Sequence, residues 1–84
     1  MNLPWTRNLR SEVLMIFTIE TEQETDMRWI AEILELAGVL AYGSTREEAI
    51  ARAKALALRV LAERLEHGEA PAALTTIAFE AASV

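Results

Sequence analysis

The spacing of hydrophobic positions changes several times along this chain, and each change marks a predicted element. From Glu12 to Glu24, Val13, Met15, Phe17 and Ile19 alternate with Leu14, Ile16 and Thr18, then with Glu20 and Glu22. A period of two predicts a β-strand. Its first half is apolar on both faces, and its second half carries Glu20, Glu22 and Glu24 on one face. Such a strand is expected to be buried centrally and wet at its far end. Thr25 and Asp26 supply turn-forming residues, and Met27 follows where a hairpin usually wants Gly.

The next stretch fits two periods. As a strand, Trp29, Ala31 and Ile33 share one side, and Arg28, Ile30, Glu32 and Leu34 share the other. As a helix, Met27, Ile30, Ala31, Leu34 and Ala37 form a stripe, with Asp26 as N-cap and Gly38 as stop. Ala, Glu and Leu favour helix, whereas Trp and Ile fit a strand, so local propensity leans towards helix. Val39 to Tyr42, between Gly38 and Gly43, reads as a short buried strand.

A helix over about residues 45–67 is the clearest element. Thr45 is a natural N-cap, and Glu48 completes a capping box three residues on. Ala49, Ile50, Ala53, Leu56, Ala57, Val60, Leu61 and Leu65 follow the helical period, while Arg52, Arg59, Glu63 and Glu66 lie on the outer face. His67 and Gly68 supply the stop. After a linker containing Pro71, Leu74 to Ala81 reads as a last strand, which needs a sheet edge in its own subunit or a neighbour. Residues 1–11 read as an N-terminal tail. Its Trp5 either docks on the body or a second subunit, or frays into solvent.

Composition narrows the class. Eighty-four residues make one domain, here residues 12–84 after the tail, and an apolar content of 52% is high for a small monomer. A homo-oligomer, dimer or tetramer, is therefore expected. Thirteen acidic against eight basic residues give a net charge of −5. That balance argues against direct nucleic-acid binding, which needs clustered Lys and Arg, and suits a basic protein partner. There is no Cys for a disulfide or a thiolate metal site. No apolar run approaches the ~18 residues of a membrane span, and no signal peptide is visible, so a cytoplasmic location without membrane contact is expected.

No constellation announces a reaction. Glu20, Glu22 and Glu24 are read as a solvated strand face rather than a cation site, since no glycine-rich metal loop accompanies them. His67 suits the negative end of the helix dipole and has no catalytic partner nearby. Ser44 and Thr45 are explained as cap residues. Gly38 and Gly43 make no phosphate loop, because no Lys follows at the required spacing. Arg46, Arg52, Lys54, Arg59 and Arg64 are interleaved with Glu, as on a solvated helix. The expectation is a protein that is not an enzyme and uses no cofactor or metal.

From Phe17 to His67 the chain resembles the HicB-like antitoxin family. The residues that carry the resemblance, in order, are Asp26, Trp29, Ala31, Glu32, Glu35, Leu36, Gly38, Gly43, Thr45, Glu47, Glu48 and Ala49. Met27 departs from the family's usual Gly, and Leu34 and Ala37 from its two Pro. The resemblance implies an α+β fold of the β-β-β-α-β type: a three-stranded antiparallel sheet, one long helix packed on it and a further C-terminal strand, partial RNase H-like. It therefore turns Trp29 and its neighbours into a strand. It also implies binding and neutralisation of a HicA-type toxin, a small basic ribonuclease that cleaves mRNA. Many members add a DNA-binding module, and none is expected within these 84 residues. The candidate partner-binding residues are Glu20, Glu22, Glu24, Trp29, Glu32 and Glu35. The alternative is a stand-alone homo-oligomeric domain without a toxin partner.

Overall fold

The computed structural model describes residues 5–7 and 13–82. The elements are β1 (Trp5–Arg7), β2 (Val13–Gln23), β3 (Trp29–Ile33), β4 (Leu40–Gly43), α1 (Arg46–Glu66) and β5 (Leu74–Ala81). The class is α+β. β2, β3 and β4 form an antiparallel meander, α1 packs across one face, and β5 returns beside β2. This is the order expected from the sequence, with two additions. β5 runs parallel to β2, from Val13↔Leu74 to Ile19↔Ala81, with one irregularity between Val13 and Leu14. β1, inside the expected tail, pairs antiparallel with β2 through Trp5↔Met15, Thr6↔Leu14 and Arg7↔Val13. The docking of the Trp5 side chain lies outside the described part of the chain.

The two edges of β2 serve different neighbours. The Ile19 carbonyl accepts from the Ala82 N–H on the β5 side, and the Thr18 carbonyl accepts from the Leu34 N–H on the β3 side. Backbone groups alternate between edges along a strand. β1 and β3 therefore lie end to end along one edge of β2, and β5 takes the other.

β3 shows why the sheet overrides local helix propensity. Trp29 to Ile33 pairs with β2 on one side and β4 on the other. Ala31 and Ile33 are buried, Trp29 packs against the core, and Glu32 is exposed. The chain then turns twice, with Leu36 N–H bonding the Ile33 carbonyl and Val39 N–H the Leu36 carbonyl, while Leu36 tucks into the core. Gly38 takes φ +81° there, a conformation that Gly adopts without steric cost.

One face of the sheet is covered and, among the described residues, the other is open. The core joins Met15, Phe17 and Ile19 of β2, Ala31 and Ile33 of β3, Leu36, Ala70, and Ala49, Ala53, Ala57 and Leu61 of α1. The three alanines recur every four residues and let the helix lie close to the strands. Phe17 and Phe79 of β5 pack with ring centroids 5.5 Å apart. Because none of the described residues covers the other face, two expectations are corrected. Ile16 is exposed although β2 begins apolar on both sides, and β4 is an outer strand with Leu40 and Tyr42 exposed rather than a buried one.

The helix ends follow the sequence signals closely. Thr45 Oγ1 accepts from the Glu48 N–H at 3.0 Å, and the Glu48 carboxylate reaches back to the Ser44 N–H at 2.9 Å. At the far end, Gly68 N–H bonds the Leu65 carbonyl and Glu69 N–H the Arg64 carbonyl. With Gly68 at φ +70° this is a Schellman closure. His67 Nδ1 lies 2.8 Å from the Glu63 carbonyl, so Nδ1 carries the proton and the ring closes the last turn. Leu65, expected on the buried stripe, is instead exposed.

The β2–β3 hairpin holds a non-glycine residue in a left-handed conformation, Met27 at φ 75°. The Met27 N–H bonds the Glu24 carbonyl, and the Glu24 N–H bonds the Arg28 carbonyl at 2.7 Å. Asp26 clamps the turn, accepting from the Arg28 backbone N–H and from its guanidinium at 2.7 Å. Those two bonds hold the Asp26 carboxyl below the usual carboxylate range, so their contribution fades as pH falls through it. The left-handed conformation costs a side-chain-bearing residue roughly 1–2 kcal/mol, partly offset in Gly by about 0.5–1 kcal/mol of chain entropy. Met27 is 68% exposed and contributes little packing. Met27→Gly is therefore expected to raise stability by about 0.5–1 kcal/mol, seen as a Tm increase of a few degrees in thermal unfolding followed by circular dichroism.

Candidate functional site

The open face of the sheet gathers much of the exposed acidic charge. Strand alternation puts Glu20 and Glu22 of β2 on the side away from α1, and β3 puts Glu32 there too. The register places Glu20 directly opposite Glu32 and Glu22 opposite Ile30. Like charges directly opposite each other in antiparallel strands are destabilising. Among the described residues, none of the three forms an ion pair.

Apolar and aromatic side chains frame these carboxylates. Leu40 lies opposite Glu32, and Tyr42 lies opposite Ile30. Ile16, Leu40 and Tyr42 are all substantially exposed. The Arg28 guanidinium lies 4.5 Å from the centre of the Tyr42 ring and bonds Asp26, which neutralises much of this cation at the rim. Glu80 joins the face from β5, where its partner across the parallel ladder is Thr18. Sequence reading missed it as a site residue, because its position depends on the parallel docking of β5. The alternation of Thr76, Ala78 and Glu80 was the available signal.

The six expected contact residues do not all converge. Glu20, Glu22 and Glu32 stand together. Glu24 lies just past the end of β2, in the hairpin turn. Trp29 is on the covered side, half-buried against the core, and so faces away from the carboxylates. Glu35 is already engaged. One of its oxygens accepts from the Thr18 backbone N–H at 2.6 Å and the other from the Thr18 hydroxyl at 2.6 Å. It fills the part of β2's edge that β1 and β3 leave unpaired, and is a fastening residue rather than a free carboxylate.

The arrangement has the chemistry of a docking surface. Among the described residues no group of three or more His, Asp or Glu is placed to hold a metal ion. Of the helix cations read as solvated, Arg46, Arg52, Lys54, Arg59 and Arg64, two have local hydrogen-bond partners: Arg46 Nε donates to Thr21 Oγ1, and Arg52 donates to the Tyr42 carbonyl beside Glu48. Among the described residues, no helix is long and apolar enough to cross a membrane. Compared with known proteins, the chain matches no family model, no curated protein and no solved structure.

Proposed function

We propose that this chain is a non-enzymatic binding protein of the HicB type, which docks a small basic HicA-type ribonuclease on its open sheet face and blocks it in the cytoplasm. The observation that carries the reading is the registered Glu20–Glu32 pair, flanked by Glu22, on an exposed strand face. Two like charges held opposite each other burden the free fold, and a cationic partner relieves that burden. Arg or Lys from such a partner would sit between the carboxylates, while Tyr42, Leu40 and Ile30 supply apolar contact around them. Aromatic anchors amid polar groups are the usual composition of a protein interface. Charge complementarity of this kind speeds association and selects the partner.

The resemblance of the ordered motif from Asp26 to Ala49 to the HicB-like family supports the same reading and implies the class of partner. The net charge of −5 is consistent with it. The test is to mix the protein with a HicA-type protein from the same genome and separate the mixture by size exclusion. A single co-eluting complex is expected, with RNA cleavage suppressed in its fraction. Separate elution with undiminished cleavage overturns the proposal.

A further inference from the structure

We propose that the outer edge of β5 is a homodimer interface, in which two copies pair their β5 strands antiparallel about a two-fold axis at Ala78. The backbone phase fixes which groups are available. Since Ala82 N–H bonds the Ile19 carbonyl, Thr76, Ala78 and Glu80 turn their backbone groups towards β2. Ile77, Phe79 and Ala81 therefore present theirs outward, and among the described residues nothing pairs with them. β5 is eight residues long and carries no Lys, no Pro and only Glu80 as a charge. Strands left in this state usually have a guarding device, such as a bulge or a charge on the edge. The single irregularity in this ladder lies at its first residues, away from the middle of the strand.

Side chains beside that edge select a second copy as the occupant. On the helix side, Ile77 is 39% exposed, and Phe79 lies next to it under the Lys54 ammonium, 5.4 Å from the ring centre. Leu58 and Leu65, one and about three turns along α1 from Lys54, are 43% and 41% exposed on the same flank. An antiparallel two-fold axis at Ala78 sets Ile77 opposite the second copy's Phe79, and the reverse, so each apolar side chain meets an apolar one. It sets Thr76 opposite Glu80 and keeps the two Glu80 carboxylates apart. A register displaced by four residues, with the axis at Glu80, would place them face to face.

Charge and area agree with this choice. Each copy carries −5, so two copies repel over most of their surface. The strip along β5 carries both signs, with Lys54 and Arg46 near Glu80. Stable interfaces bury roughly 1,200–2,000 Å² in total, more than a strand pair alone supplies. Leu58 and Leu65 of both copies extend the apolar contact beyond the strands. This interface lies at the edge of the sheet and leaves Glu20, Glu22 and Glu32 free, so it does not depend on the proposed toxin contact.

The experiment is light scattering on the full chain at high micromolar concentration, with two variants. The wild type is expected at twice its 9.3 kDa chain mass. Ile77→Lys, which places a charge opposite the second copy's Phe79, is expected at the single-chain mass with unchanged far-ultraviolet circular dichroism. Ala78→Cys supplies the only thiol in the chain, at a symmetric position whose two Cα atoms lie about 4.5 Å apart, within disulfide range. It is expected to form a covalent dimer on mild oxidation. A wild type at the single-chain mass overturns the proposal, including one that instead takes up an added extended peptide on β5. A dimer that survives Ile77→Lys, or in which Ala78→Cys does not cross-link, overturns it as well.

Discussion

Gly43→Ala is expected to destabilise the protein by about 3 kcal/mol, the upper end of what overpacking usually costs. The reason is space. A Cβ at Gly43 would sit 2.5 Å from the Ala49 backbone nitrogen and 3.0 Å from the Glu48 carbonyl carbon. Both are main-chain atoms in the first turn of α1, so no rotamer change relieves the clash. Gly43 is the last residue of β4 and pairs with Trp29, which fixes it from the other side. Accommodating the methyl group would push the start of the helix off the sheet and loosen the Ala49–Ala53–Ala57 contact. Urea denaturation measures this directly. The midpoint should fall with little change in slope. An unchanged midpoint would mean that the helix start is not pressed on β4.

Glu35→Ala is expected to cost about 1–3 kcal/mol, the range for leaving buried hydrogen-bonding groups without a partner. Its carboxylate satisfies both the backbone N–H and the hydroxyl of Thr18, in a part-buried position. Charge-assisted bonds of this kind are stronger than neutral ones. Loss of the carboxylate exposes a gap in the ladder between β1 and β3 and frees the turn that carries Leu36 into the core. Glu35→Gln keeps the shape but surrenders the charge and one acceptor, and should lie between the two. Chemical denaturation of the three proteins gives the order wild type, Gln, Ala. If Ala equals wild type, Glu35 is not fastening the turn.

These expectations also show which parts of the fold are legible in the chain. The helix limits were readable because caps are local: Thr45, Glu48, His67 and Gly68 lie within a few residues of the groups they satisfy. The strand from Trp29 to Ile33 was not readable from local propensity, because β2 and β4 hold it, and neither is encoded within the segment. The same holds for the parallel docking of β5 and for β1 inside the expected tail. Met27 was recognisable as an unusual residue for its turn, and it does occupy a left-handed conformation.

At the candidate site the same division applies. The alternation of Trp29, Ala31 and Ile33 against Glu32 already separated Trp29 from the carboxylates, so its placement on the covered side follows from the pattern. Glu20, Glu22 and Glu32 were visible as exposed acids, but their register was not. That Glu20 faces Glu32 depends on the length of the hairpin between them. Glu35 looked like one more surface acid, since its partner Thr18 is seventeen positions away.

The register also separates binding from stability. Neutralising one member of the Glu20–Glu32 pair removes a like-charge contact, so the free protein should become slightly more stable while partner binding weakens. A residue kept only for the fold would not behave in this way.

The most direct measurement is a calorimetric titration of the HicA-type protein into the wild type and into the triple variant Glu20→Gln, Glu22→Gln, Glu32→Gln, each at low and high salt. The wild type is expected to bind. The variant, folded and no less stable, is expected to bind at least about tenfold more weakly at low salt, with the difference narrowing as salt screens the surface charges. Equal affinity for the two proteins at both salt concentrations would contradict the assignment of the open acidic face as the docking surface.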